Sequence, residues 1–103
     1  MTIATFSVTT STGNAYTSGG NTAITSLTLC NWGPANVTAN LFVVPNSSAA
    51  DTSTQALYAL PLQSGDTYQL YAAAEKLLLG PGDTIRVNAT ANTVTTVTSY
   101  TSI

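Results

Sequence analysis

Residues 36–45 read NVTANLFVVP, and this stretch decides the fold class. Every second residue from 37 to 43 is apolar, so these side chains share one face of an extended strand. Thr38 starts the opposite face, which becomes apolar at Phe42 and Val44. A strand with two apolar faces is either central in a β-sandwich or covered by a neighbouring subunit.

Residues 84–91 show the same two-residue period with one polar face. Apolar residues occupy the odd positions from Ile85 to Ala91, and polar residues occupy the even positions from Thr84 to Thr90. This alternation predicts a strand with one face in the core and the other in water. Threonine makes up about a fifth of the chain, and its β-branched side chain also favours strands.

Turn-forming residues divide the chain at short, regular intervals. Clusters of Gly, Pro, Asn, Ser and Asp lie at 18–21, 31–34, 45–48, 64–66, 80–83 and 91–92. Such spacing without helical periodicity predicts an all-β fold, a single antiparallel β-sandwich of about seven or eight strands, immunoglobulin-like or jelly-roll. The predicted strands lie near residues 3–10, 22–31, 36–45, 55–62, 66–72, 76–79, 84–90 and 93–103. Residues 72–76 have enough helix propensity for one short turn.

The chain has 103 residues, which suits one domain with one core. We expect residues 1–103 to form a single β-sandwich domain, with residues 1–20 as an extended N-terminal arm or an edge strand. The first residues lack the features of a secretory signal, and no apolar run reaches the ~18 residues of a membrane span. The sequence predicts a protein made in a cytosol that stays there or leaves inside a larger particle.

Charge and composition argue against several partners and chemistries. Only 6% of the residues are charged, against roughly 25% in an ordinary domain, and the formal net charge is -2. Because no basic stripe exists to bind phosphates, nucleic acid is not an expected partner. With no His and a single Cys30, the sequence predicts no intrachain disulfide, no metal site and no cofactor.

Asp66 and Asp83 share the one repeated motif, Gly-Asp-Thr ahead of a predicted strand. An Asp after Gly can close a turn by accepting backbone N–H bonds from two residues further on. The alternatives are a glycosidase-like pair of carboxylates and a calcium site, which needs six or more oxygen ligands. The turn role explains both residues better, and we expect no enzyme activity.

Several other side chains have both a structural and a functional interpretation. Trp32 either folds back as a plug on the core or anchors an interface. Cys30 ends an apolar strand and is expected to be a buried, inert thiol. Arg86 is either a solvated charge or a fork that grips a carboxylate or a carbonyl on a partner chain. Glu75 and Lys76 are expected at the rim where a strand enters the core.

The aromatic residues allow two further interpretations. The five tyrosines could line a sugar-binding surface, but their spread over different predicted strands favours cross-strand pairing. They are Tyr16, Tyr58, Tyr68, Tyr71 and Tyr100.

Six segments carry a resemblance to a known class of proteins. They are Leu27 to Asn31, Val37 to Pro45, Leu57 to Leu62, Gly65 to Thr67, Glu75 to Val87 and Val97 to Ile103. Their pattern resembles that of small β-sandwich virion proteins of tailed bacteriophages. Such proteins serve as capsid decoration (cement) proteins or as neck, tail and baseplate appendages. The resemblance implies a structural role in the virion and supplies no active-site residues; the first twenty or so residues lie outside it.

Three hypotheses follow. The favoured one is a non-enzymatic capsid decoration protein that binds the lattice of the major capsid protein. The alternative is a neck, tail or baseplate or fibre component with carbohydrate binding to a host receptor, and a small glycosidase comes third. Low charge and the apolar residues at 42 and 44 favour a homo-oligomer, and the resemblance favours a trimer.

The predicted contacts lie at the chain termini, in the loop from Asn31 to Pro34 and on the apolar strand face. The predicted interface residues are Ile3, Phe6, Val8, Trp32, Pro34, Phe42, Val44, Arg86, Tyr100 and Ile103.

Overall fold

The chain folds into antiparallel strands arranged in two sheets. The computed structural model describes residues 2–51, 53–70 and 77–103, and these ranges contain nine strands and no helix. The strands are β1 (Thr2–Val8), β2 (Gly13–Thr17), β3 (Thr22–Asn31), β4 (Val37–Val44), β5 (Gln55–Leu62), β6 (Thr67–Leu70), β7 (Leu77–Leu79), β8 (Thr84–Ala89) and β9 (Val94–Ser102). The predicted all-β sandwich is confirmed.

The strand order identifies the type of sandwich. One sheet has the order β1-β9-β3-β6, with β7 also paired to β3, and the other has the order β2-β8-β4-β5. Because β6 and β7 pair with successive parts of β3, they act as one interrupted strand. The first strand then pairs with the last, the second with the next to last, and so on inward. This nested pairing is that of a jelly roll.

The sequence located eight of the nine strands within a few residues and missed β2. This strand has only five residues, and a bulge between Asn14 and Tyr16 interrupts its pairing with β8. A bulge adds one residue to one strand and so breaks the two-residue alternation that marks a strand. The predicted helical turn at 72–76 lies outside the described residues.

The core lies between the two sheets and follows from the alternation. Leu27 and Leu29 of β3 face Leu41 of β4 and Ile85 and Val87 of β8, and all five are fully buried. Burying each such side chain contributes about 1.5–3 kcal/mol. The described segments include no helix long and apolar enough to span a membrane.

Residues 2–8 form an edge strand that contributes to this core. β1 pairs with β9 from Thr2–Tyr100 to Val8–Val94 without a bulge. Val8 is buried and Phe6 packs against the core, where its ring leaves no room for a side chain at Gly13. Of the two interpretations of the N-terminal segment, the edge strand fits the structure.

Phe42 and Val44 do not form an exposed apolar row, and that prediction is wrong. Their exposed fractions are 8% and 1% within the single chain. The register places Phe42 between Arg86 of β8 and Gln55 of β5, and Val44 beside Thr84. Neighbouring strands of the same chain therefore cover side chains that the alternation assigns to the outer surface.

Two threonines of β9 are buried in the core. Thr96 and Thr98 are fully inaccessible to solvent. The Thr96 hydroxyl lies 3.5 Å from the carbonyl oxygen of Phe6, whereas the Thr98 hydroxyl has no hydrogen-bond partner in the described chain. A buried polar group without a partner costs roughly 1–3 kcal/mol of stability.

Replacing Thr98 by valine should therefore stabilise the protein. Thr98→Val keeps the shape of the side chain and removes the unpaired hydroxyl, so we expect a gain of about 1 kcal/mol. Thermal unfolding followed by circular dichroism should show a rise in Tm of roughly 4–8 °C. Thr96→Val, which loses a weak hydrogen bond, is the matched control and should gain less. A lower Tm for Thr98→Val would contradict this account.

Candidate functional site

One end of the sandwich is organised around a buried asparagine. The β1–β2, β3–β4, β5–β6 and β8–β9 connections meet at this end, which we call the loop end. Asn31, the last residue of β3, is fully buried there. Its Nδ2 donates to the carbonyl oxygens of Ala35 (2.8 Å) and Leu62 (3.1 Å). Its Oδ1 accepts from Gly33 N (3.2 Å) and from the Thr93 hydroxyl (3.0 Å).

The backbone of Asn31 joins the same network. Asn31 N donates to the carbonyl oxygen of Asp66, and Gly65 N donates to the carbonyl oxygen of Asn31. One buried residue thus holds three of the connections at the loop end. The sequence places Asn31 in a turn cluster and gives no sign of this role, because the partners on the other two connections, among them Leu62 and Thr93, are distant in the chain.

Trp32 lies on the outside of the loop end and is not a plug on the core. Since Asn31 takes the inward position, the next side chain points outward, and Trp32 is 64% exposed. Its indole N–H donates to the Thr95 hydroxyl at 3.0 Å, and its backbone N–H donates to the carbonyl oxygen of Thr93. An exposed aromatic ring fixed by a hydrogen bond is suited to anchoring a partner.

Within the described residues, the outer surface of the five-stranded sheet carries no charge. Its strands β1, β3, β6, β7 and β9 contain no Asp, Glu, Lys or Arg within their described bounds. By alternation and register, its outward residues are hydroxyl-bearing or apolar side chains, with one amide and one thiol. We call this surface the neutral face, and it consists of Ile3, Thr5, Ser7, Ser26, Thr28, Cys30, Thr67, Gln69, Leu78, Thr95, Val97 and Ser99.

The outer surface of the four-stranded sheet is lined by amides instead. Asn40 Nδ2 donates to Asn88 Oδ1, and Asn88 Nδ2 donates to the Thr12 hydroxyl, each at 2.8 Å. Arg86 lies next in this surface, half-buried in the central strand β8, with its Nε donating to the Thr84 hydroxyl at 3.2 Å. The sequence predicted the polar face of β8 but not its partner, because cross-strand pairing is not visible in one strand.

Asp66 and Asp83 close turns, as predicted, although through different backbone groups. Asp66 Oδ2 accepts from Gln63 N at 3.0 Å, and Asp83 Oδ2 accepts from Gly80 N at 2.8 Å. The expected partners were two residues further on, whereas the observed ones lie three residues earlier. In both turns the preceding glycine has a positive φ, 83° and 81°, as a type II turn requires.

The two carboxylates cannot share a site. Asp66 is bonded to Asn31 at one end of β3, and the Asp83 carbonyl accepts from Ser18 beyond the other end. Ten residues of strand separate them by about 30 Å. In the described residues no three His, Cys, Asp or Glu side chains are placed to hold a metal ion.

The third described carboxylate also serves its own loop. Asp51 Oδ1 accepts the Ser53 hydroxyl at 2.5 Å and the Ser53 backbone N–H at 2.9 Å. These two bonds hold the pKa of the Asp51 carboxyl below its ordinary value. All three acids are therefore used in turns.

The remaining predicted residues differ in their accessibility. Ile3, Trp32, Pro34 and Ile103 are exposed, Phe6, Arg86 and Tyr100 are half-buried, and Val8, Phe42 and Val44 are buried. The last three cannot contact a partner without a change in the chain.

Cys30 and the tyrosines have the following environments. Cys30 is half-buried on the neutral face, so the expectation of a buried thiol is wrong, because Leu29 takes the inward position. Tyr16 and Tyr100 are in contact, with ring centroids 4.5 Å apart, but they lie on β2 and β9 in different sheets, so this is a contact across the sandwich and not the expected cross-strand pair within a sheet. Tyr71, Glu75 and Lys76 lie outside the described residues.

Comparisons with protein-family models, with curated proteins and with solved structures found no match for this chain.

Asn31→Leu should be strongly destabilising. The substitution keeps the side chain's approximate size but leaves two carbonyls, one N–H and one hydroxyl without their partner at a buried position. We expect a loss of about 3 kcal/mol or more, measured by urea unfolding. Asn36→Leu is the matched control, because Asn36 is exposed in the same region and makes one side-chain bond, to Ser64 N. Equal losses in the two variants would refute the central role of Asn31.

Proposed function

We propose that this chain is a non-enzymatic structural protein of a virion, most specifically a capsid decoration protein that binds the lattice of the major capsid protein. The neutral face carries this proposal. Interface cores are depleted of charged residues because a charge is costly to remove from water. A sheet surface without charges avoids this cost, and its hydroxyls can donate or accept hydrogen bonds.

The free edge of β1 supports the same function. Natural edge strands are usually protected by charges, prolines or bulges. β2 and β5 have irregular pairing, and β5 also contains Pro61, whereas β1 has none of these protections. Its unpaired backbone groups can therefore accept a strand from a neighbouring protein.

Many copies on a repeating lattice multiply weak contacts. Trp32 and Ile3 add exposed apolar area to the neutral face. Copies that associate with each other bind the lattice more tightly through multivalency. We propose a homo-oligomer, a trimer by resemblance, and localisation in the virion. A neck, tail or baseplate component would use the same surface on a different partner, and localising the chain in purified particles separates the two.

A charge on the neutral face should reduce binding to the particle. Thr28 lies in the middle of this surface, so Thr28→Lys would force a cation into the contact. We expect at least a tenfold loss of affinity, equal to about 1.4 kcal/mol, in binding to particles assembled without the chain. Occupancy is measured by sedimentation with the particles.

Asn14→Lys is the matched control, because Asn14 is exposed on β2 in the other sheet. It should bind as the unchanged protein does. Equal binding by Thr28→Lys and the unchanged protein would remove the neutral face from the proposal, and absence of the chain from purified virions would overturn the function. Deleting residues 1–12 would not test the role of β1 in binding, because it also removes Val8 from the core.

A further inference from the structure

A groove opens on the four-stranded sheet, away from the neutral face. It has a volume of about 320 Å³ and is lined by Asn36, Val37, Thr38, Pro61, Leu62, Gln63 and Thr90. Thr38 pairs with Pro61 of β5, Thr90 N donates to the carbonyl oxygen of Thr38, and Thr38 N donates to the Thr90 hydroxyl, so the neighbouring segments of the chain fix the walls. Its volume is at the lower end of ligand sites, which suits a small molecule or one unit of a chain.

The lining selects a class of ligand. None of the seven residues is charged, so the groove offers no partner for an ionic group. The Gln63 amide makes no hydrogen bond to a described residue, and Asn36 uses only its Oδ1, which accepts from Ser64 N at 3.1 Å. The hydroxyls of Thr38 and Thr90 complete a set of groups that can both donate and accept. A purely apolar ligand would leave these groups unpaired.

A strained bulge displays an aromatic ring beside this groove. Leu57 and Leu60 of β5 pair with Leu41 and Ala39, so Tyr58 and Ala59 together oppose a single residue, Asn40. Ala59 has a φ of 50°, a conformation that costs a non-glycine residue about 1 kcal/mol or more. Such bulges redirect side chains and occur preferentially near functional sites.

The amide side chains on the outer surface of the four-stranded sheet hold this bulge in place. Ala59 N donates to Asn40 Oδ1 at 2.8 Å, and Asn40 in turn is fixed by Asn88. As a result Tyr58 is 80% exposed, the largest exposed fraction among the large hydrophobic residues of the described chain. It lies three residues from Pro61, roughly 10 Å along the strand.

From these two observations we infer that the groove and Tyr58 form a binding site for a neutral oligosaccharide. One sugar ring occupies the groove, with its hydroxyls bonded to Gln63, Asn36 and Thr90 and its apolar face against Pro61. A second part of the chain lies on the ring of Tyr58, which offers a flat apolar surface. The site is on the opposite sheet from the neutral face, so it does not depend on the structural role proposed above.

The inference is tested by titrating the isotope-labelled full chain with neutral trisaccharides and following its amide NMR signals. The probes are maltotriose, cellotriose and xylotriose, with glucose and glucuronic acid as a neutral and a charged monosaccharide. At least one neutral probe should bind with a Kd in the millimolar range and shift the signals of residues 36–38, 58–63 and 90. Glucuronic acid should bind no better than glucose, because no cation lines the groove.

Variants then separate the site from non-specific binding. Tyr58→Ala and Gln63→Ala should each weaken binding at least fivefold, and Tyr58→Phe should retain it because the ring is kept. Trp32→Ala removes another exposed aromatic side chain, one that is hydrogen-bonded to Thr95 of the neutral face, and should have no effect. All three positions are exposed, so unchanged spectra of the four free variants will confirm that they fold.

Three outcomes would overturn the inference. They are the absence of shifts with every neutral probe, full binding by both alanine variants at positions 58 and 63, and shifts centred on Trp32.

Discussion

The pairing of β3 with β9 is the constraint on which the rest of the structure depends. It runs from the pair Thr22–Ser102 at one end to the pair Asn31–Val94 at the other, so the paired residues are between 63 and 80 positions apart in the chain. β1 attaches to the far side of β9, and β6 and β7 attach to the far side of β3. Without this ladder the five-stranded sheet has no centre. The two strands are far apart in the chain, so the entropy of closing the loop between them is lost before their contacts stabilise the fold. We therefore expect slow folding for a chain of this size.

The ladder also divides the surface into two chemically different sides. It presents Thr28 and Val97 outward and Leu27 and Leu29 inward, and the outer side is neutral over the residues that the structure describes. The single arginine of the described residues lies on the other sheet, among the amides. One sheet is thus suited to lying against another protein, and the other carries a groove and a displayed tyrosine. A jelly roll can carry both of these surfaces because only the inner faces of its two sheets pack against each other.

Asn31 and Trp32 are adjacent in the chain, but one side chain points into the sandwich and the other points into solvent, so they have different roles. The amide is buried and holds the loop end together, while the neighbouring indole is exposed. Composition favours the opposite arrangement, since a tryptophan is more often buried than an asparagine. The alternation overrides this preference because the Asn31 amide finds four partners inside, and a buried amide without them would be unstable.

How much the sequence predicts can be judged from particular elements. The all-β class and eight strands follow from the alternation and the turns, since these are local properties of the chain. The turn roles of Asp66 and Asp83 follow from the glycines before them for the same reason. β2 was missed because its bulge removes the local signal, and the burial of Phe42 depends on Arg86 and Gln55, which lie far away in sequence.

The amino-acid sequence alone is enough to predict a weakly charged β-sandwich in which Asp66 and Asp83 close turns. The jelly-roll strand order, the absence of charge from the described part of one sheet face and the position of Tyr58 beside a groove become visible only in the folded chain. The physical reason is that strand propensity and turn geometry depend on neighbours in the chain. Strand order and surface composition depend instead on which strands pair, and pairing is fixed only when distant residues pack together.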